Sequence, residues 1–127
     1  MHVLHATASI DPSYGGPVTA LTQLAIAQAQ AGIQVTVAAT FDSATSPQLI
    51  ERLRDQGVKV HLVGPCYTPL LWHPQLAKVL YQAVAASDVV HIHSLWEEIQ
   101  HRAARMSQRL TRPYLFHPNG MLAPWSL

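Results

Sequence analysis

The sequence predicts an α/β domain: a Rossmann-like, mainly parallel sheet of about five strands with helices on both faces. Three observations lead there. Short apolar runs alternate with stretches whose apolar residues recur at helical spacing, and the connections between them are short. The strand-like runs are rich in apolar residues on both sides, as strands covered on both faces are. With 127 residues, 49% of them hydrophobic and 12% charged, the chain has the makings of a packed core, and charge-driven disorder is excluded. No internal repeat, low-complexity tract or linker divides it, so residues 1–127 are expected to form a single domain.

Val3 to Ala8 is the first apolar run and stops at the turn formers Asp11-Pro12-Ser13-Tyr14-Gly15-Gly16, which reads as a strand followed by a glycine-bearing loop. Pro17 suits the first turn of a helix, where its missing N–H costs nothing. Val18, Leu21, Leu24, Ala25 and Ala29 then recur at helical spacing until Gly32 closes the helix. Val35 and Val37 with their flanking alanines suit a buried strand. Ser46-Pro47 opens a second helix through Leu49, Ile50 and Leu53, ended by Gly57, and Val58 to Val63 is the third strand.

The connection that follows, punctuated by Gly64-Pro65 and Pro69, holds Tyr67, Leu70, Leu71 and Trp72; it is too apolar for a solvated connector, and something is expected to pack on it. His73-Pro74 leads into a helix through Leu76, Val79, Leu80 and Val84, and Val89 to His93 is the fourth strand. Glu97 to Leu110 carries Ile99, Ala103, Met106 and Leu110 on one side and Arg102, Arg105 and Arg109 on another, a stripe that reads as a solvated face. Pro113 to His117 is the fifth strand. A fifth strand without a successor and the large apolar groups Met121, Leu122, Trp125 and Leu127 give the expectation of an incomplete domain with an open sheet edge.

Several classes of function are excluded or disfavoured. A formal charge of +1 supplies no basic field for a phosphate backbone, so nucleic acid is not an expected partner. Cys66 is the sole cysteine, which rules out an intrachain disulfide and reads as a structural thiol in a reducing compartment. The start Met1-His2-Val3-Leu4-His5 has no signal-peptide pattern, and no run approaches ~18 uninterrupted apolar residues. A cytoplasmic protein is expected, with any membrane association peripheral.

Ligands of open parallel sheets collect beyond the carboxyl ends of the strands, which directs attention to Ser9–Gly16, His93–Glu97 and His117–Trp125. Gly15-Gly16-Pro17 puts two residues without side chains ahead of a helix N-terminus, suited either to a phosphate or carboxylate or simply to a tight turn. His91 and His93, two apart on a strand, face the same side of the sheet, and His5 is a candidate neighbour. A metal-dependent hydrolase would also need carboxylate ligands on later strands, so the reading is no metal, a hydrogen-bonded core His91 and a cleft-facing His93. Glu97 and Glu98 after Trp96 suit the positive end of a helix without any catalytic task.

Taken together, Gly15-Gly16-Pro17, Ala31-Gly32 before Val35-Thr36-Val37, Asp88-Val89-Val90-His91-Ile92-His93-Ser94-Leu95-Trp96 and His117-Pro118-Asn119-Gly120-Met121-Leu122-Ala123-Pro124-Trp125 resemble, in order and spacing, the N-terminal domain of family 4 glycosyltransferases. The resemblance implies half of a GT-B enzyme: two Rossmann-like domains facing across a cleft, metal-independent and without a cofactor, retaining, and moving a sugar from a nucleotide-sugar donor to a glycan or lipid-linked acceptor. It implies that Gly15, Gly16, His93, Trp96, Asn119 and Gly120 line the acceptor side, with no catalytic residue assigned. The family commonly reads Pro-His-Gly-Met-Leu where this chain has Pro118-Asn119-Gly120-Met121-Leu122, so Asn119 stands in place of an imidazole and offers hydrogen bonds but no proton exchange. The family's C-terminal, nucleotide-binding domain is not in the sequence, so residues 1–127 alone are not expected to catalyse transfer. The rival expectation is a non-catalytic binding or assembly module completed by a partner chain.

Overall fold

The computed structural model describes residues 1–42, 47–68 and 70–119. Five strands, β1 (His2–Thr7), β2 (Gln34–Thr40), β3 (Lys59–Val63), β4 (Val89–His93) and β5 (Tyr114–His117), form one sheet in the order β3-β2-β1-β4-β5. Every neighbouring pair is parallel. Four helices, α1 (Gly16–Gln30), α2 (Pro47–Asp55), α3 (Leu76–Ala85) and α4 (Glu98–Arg109), connect them, with a short 3-10 turn at Pro12–Tyr14 ahead of α1. The expected α/β fold is therefore the observed one.

Strand alternation divides the core into two layers. Leu4, Ala6, Ala38, Val90 and Ile92 point to the face covered by α3 and α4, where they pack on Leu76, Leu80, Ile99 and Ala103. Val35, Val37, Ala39 and Val60 point to the other face and meet Leu21 and Ala25 of α1 and Ile50 and Leu53 of α2. Both layers exist because strands of a parallel sheet must cross over through helices, and the β1 to β2 and β3 to β4 crossovers leave on opposite faces.

Glycines end two of the helices by the same physical device. Gly32 and Gly57 have φ of 88° and 85°, and the next residue reaches back over each: Ile33 N–H to the Gln28 carbonyl at 3.0 Å and Val58 N–H to the Leu53 carbonyl at 3.0 Å. These are Schellman closures, which need a left-handed residue. Helix α4 closes the same way, with Arg112 N–H on the Ser107 carbonyl at 2.8 Å, but its left-handed residue is Thr111 at φ 55°. A β-branched side chain is strained there.

The connection 64–75 is only partly packed. Gly64 lies so close to the end of β2 that an added Cβ would stand 2.6 Å from the Phe41 carbonyl oxygen, and Cys66 N–H donates to that same oxygen at 2.8 Å. Leu71 packs against the core. Tyr67, at 81% exposure, Leu70 and Trp72 remain exposed, so the expected cover reaches one of the four apolar residues. Strand β5 also shows Leu115 and Phe116 to solvent. No helix among the described residues is long and apolar enough to cross a membrane.

Thr111→Gly is expected to stabilise the domain by about 0.5–1 kcal/mol, since relief of left-handed strain of about 1–2 kcal/mol exceeds the extra unfolded-state entropy of glycine. Urea unfolding of the two proteins measures it; an unchanged or lower midpoint would mean that the Thr111 side chain compensates its backbone.

Candidate functional site

Strand β1 lies between β2 and β4, and the chain leaves its two sides in opposite directions, which makes the carboxyl ends of β1 and β4 the switch point where ligands of open parallel sheets collect. The segments that follow β1 and β4 start from those ends, and Pro118 and Asn119 follow the neighbouring β5.

The first loop is pinned by side-chain hydrogen bonds. The Thr40 hydroxyl donates to the Ala8 carbonyl, Ser9 Oγ accepts from Asp11 N–H at 3.0 Å, and Asp11 Oδ1 accepts from Ser13 N–H at 2.9 Å. The chain then passes through Gly15, at φ 81° and ψ −137°, into α1, whose start no side chain caps. A residue with a side chain is strained at Gly15. Gly16 has no positive φ, and a Cβ there would meet nothing within 4 Å. The turn therefore requires only the first glycine, and the second leaves the start of α1 bare.

The loops after β4 and β5 are tied together. Ser94, at φ 69°, donates its N–H to the His117 carbonyl at 2.9 Å, and Asn119 Nδ2 donates to Ser94 Oγ at 3.2 Å. Asn119 is itself left-handed, at φ 55°, a conformation asparagine tolerates better than most residues. Trp96 stands out at 53% exposure. Glu97 caps α4 through a reciprocal box with Gln100, and the buried Gln100 amide also donates to the His93 carbonyl at 3.0 Å. Both carboxylates thus serve the helix start as expected: Glu97 as cap, and Glu98 in the first turn, where it holds Arg102 at 2.8 Å.

Beneath these loops runs a row of imidazoles. His5 and His91 are register partners across β1 and β4, as are His93 and His117 across β4 and β5. The rings of His91 and His93 stack with centroids 4.1 Å apart, and His117 lies 5.7 Å and 5.8 Å from them. His5 Nε2 bonds Gln28 Oε1 at 2.7 Å, and its Nδ1 bonds His93 Nε2 at 2.9 Å. Burial pushes His5 below the usual imidazole range, against an opposing hydrogen bond from Gln28. Burial and the neighbouring imidazoles push His91 down to about 4 and His93 down to about 2. His5, His91 and His93 are therefore neutral at pH 7.

The two strand histidines exchange the environments expected of them. His93 is the buried, hydrogen-bonded one, 3% exposed. His91 is half-buried, and its Nε2 is enclosed without a hydrogen-bond partner. His93 gains its partner from His5, which Gln28 of α1 holds in turn, whereas His91, two residues earlier on the same face, has no such partner for its Nε2. Gly15, Gly16, Trp96 and Asn119 stand at the loops above; Gly120 and the residues after it lie outside the described residues. Sequence reasoning passed over Gln100, which the Glu97-x-x-Gln100 capping pattern would have flagged, and Gln28 and Ser94, for which no local pattern exists. Cys66 is buried, donates to the Val63 carbonyl at 3.5 Å and has its thiol pushed up by burial, which leaves it a structural residue.

An open, doubly wound, all-parallel sheet with helices on both faces defines a Rossmann-like half. Residues 15–126 match the model of the glycosyl transferase 4-like domain. The chain belongs to that family. None of the curated proteins compared matches it. Among solved structures it is similar to eIF2B beta from Chaetomium thermophilum, with 13% identity and a TM-score of 0.54 over 91% of this chain and 34% of that one. It is also similar to a universal stress protein family member from Burkholderia pseudomallei, with 13% identity and a TM-score of 0.43 over 91% of this chain and 95% of that one. The first likeness concerns the fold alone, and this chain spans about a third of that protein's length.

Two outcomes follow from the buried polar groups. The unfolded chain takes up protons at His5, His91 and His93 near pH 6.5, while the folded chain resists until about 4 at His91 and about 2 at His93. Their contribution to stability is thus complete above about pH 6.5 and declines as pH falls below it. Urea midpoints should be level from pH 8 to 7 and fall steadily from 6.5 to 4.5; a level profile to 4.5 would show that the native row accepts protons freely. Gln100→Ala, which strips the His93 carbonyl and the Glu97 cap of their partner, should cost about 1–3 kcal/mol in the same assay at pH 7.

Proposed function

We propose that this chain forms the acceptor-side wall of a retaining GT-B glycosyltransferase that moves a sugar from a nucleotide-sugar donor to a glycan or lipid-linked acceptor in the cytoplasm, on the way to a polysaccharide. The observation that carries the reading is the match of residues 15–126 to the family, within which the Gly15-Gly16 loop follows β1 and Ser94 and Asn119 tie together the ends of β4 and β5. The bare start of α1 offers backbone N–H groups and the positive end of the helix to a phosphate or other anion. Gly16 supports this, because the turn does not demand a glycine there.

Trp96 supplies an exposed apolar ring suited to a sugar face, and Asn119 an amide for a hydroxyl, with Gly120 beside it. His93 works from behind: buried under the loop, it carries the strand end that Gln100 holds. The exposed Arg105 and Arg109 on α4 give modest attraction to an anionic membrane surface, consistent with a peripheral approach to a lipid-linked acceptor. A single wall neither excludes water nor aligns donor with acceptor, so residues 1–127 alone supply almost none of the orientation and electrostatic stabilisation that transfer requires. A C-terminal nucleotide-binding domain or a partner chain completes the site. The second reading, a non-catalytic assembly module, draws on the exposed Leu115 and Phe116 of β5.

Release of nucleotide from a panel of nucleotide sugars decides between them. The chain alone should show none above background, and the chain joined to a C-terminal nucleotide-binding domain of its family should turn donor over. In that active protein, Trp96→Ala should raise KM for acceptor about tenfold or more with kcat little changed. Two folded domains that bind each other without turnover would favour the assembly module instead.

A further inference from the structure

In the proposed transfer the imidazole row has only a supporting part, through His93, and ordinary core packing accounts for only some of it. Core histidines are tolerated when both ring nitrogens find partners. His5 meets that condition through Gln28 and His93. His91 does not: its Nε2 is shut away from solvent with no hydrogen-bond partner among the described residues. An enclosed ring nitrogen without a partner, beside two other imidazoles, is suited to a metal ion when it is the nitrogen that carries the lone pair.

One ring nitrogen from each of His5, His91 and His93 lies within 4.8 Å of the others. A tetrahedral Zn²⁺, with Zn–N of about 2.0–2.1 Å, holds its nitrogens about 3.3 Å apart, a spacing that small side-chain rotations reach. We propose that His5, His91 and His93 bind one divalent transition-metal ion, of the Zn²⁺ or Co²⁺ type, that clamps β1 to β4 beneath the cleft.

The surroundings fit that ion. The Gln28 carbonyl oxygen accepts the His5 Nε2 proton at 2.7 Å, which fixes the tautomer and turns the Nδ1 lone pair toward the cluster, as outer partners of metal-bound histidines do. His93 Nε2 is 2.9 Å from that Nδ1 with one proton between them. The ion replaces this proton, which moves to the other ring nitrogen of His93, so all three ligands stay neutral. Three imidazoles without a carboxylate in the group suit Zn²⁺, Co²⁺, Ni²⁺ or Cu²⁺ and not Mg²⁺ or Ca²⁺. Half-buried His91 and exposed His117 mark the way in from the β5 side, and His117 is the nearest further imidazole. The expectation of no metal rested on the carboxylates that hydrolysis needs; a structural clamp needs none.

Zn²⁺ titration of the chelator-treated chain at pH 7 tests this independently of any transferase activity. One equivalent should bind, the thermal midpoint should rise with Zn²⁺ and not with Mg²⁺, and Co²⁺ should give a tetrahedral visible spectrum. Gln28→Ala should weaken Zn²⁺ binding about 10–100-fold, and His91→Asn should abolish the stoichiometric site while His101→Asn on α4 leaves it intact. If His91→Asn does not fold, imidazole NMR signals of the unaltered chain give the answer: those of His5, His91 and His93 should shift together at one equivalent. Absence of stoichiometric binding, signals of these three unmoved by Zn²⁺, or Zn²⁺ affinity unchanged in folded His91→Asn would overturn the proposal.

Discussion

Pairing β1 with both β2 and β4 is the constraint on which the rest of the molecule depends, because a central parallel strand fixes the register of each neighbour while their connecting helices leave on opposite faces. That pairing joins residues about ninety positions apart in the chain. At its lower end, His2 N–H donates to Asp88 Oδ2 at 2.7 Å while the His2 carbonyl takes the Asp88 N–H at 2.8 Å. Its cost in chain entropy is met by the apolar layer under α3 and α4, which becomes continuous once β4 supplies Val90 and Ile92.

The same pairing creates the site. Because β1 and β4 run parallel with His5 opposite His91, their carboxyl ends lie side by side, and His91 and His93 share the face of His5. Apolar residues on that face would have continued the core. Histidines there instead make a polar floor whose charge burial suppresses, so the cleft has hydrogen-bonding capacity without a fixed positive charge at neutral pH. Gln100 and Gln28 tie this floor to α4 and α1, so the loops above stand on rigid elements.

The loops show how backbone and side chain divide the work. Gly15 is needed for the turn, Gly16 for the space it leaves, and Ser94 and Asn119 both accept left-handed conformations in order to bring two strand ends together. Strain of this kind persists where surrounding structure overdetermines it. At Thr111 the same conformation merely closes a helix. Position in the fold, and not the conformation itself, distinguishes a binding loop from a terminus.

Local patterning was enough to read the elements, since helix faces, strand runs and the closing glycines Gly32 and Gly57 are set by residues within a turn or two of each other. It also placed His5, His91 and His93 on one face, because strand alternation has period two. It could not say which histidine would find a partner: that depends on His5 meeting His93 across β1 and β4 and on Gln28 of α1 reaching His5, a matter of tertiary packing. Nor could it reveal that Asn119 bonds Ser94, that Gln28 holds His5, or that of Tyr67, Leu70, Leu71 and Trp72 it is Leu71 that packs on the core. Those contacts join residues 23 to 25 or more positions apart, where sequence carries no periodic signal. The sequence by itself determined the alternation of elements, their boundaries and the side each residue faces, because these are local steric and solvation choices. The tertiary structure decided which of those faces are covered and which polar groups meet, because burial is a property of the assembled layers.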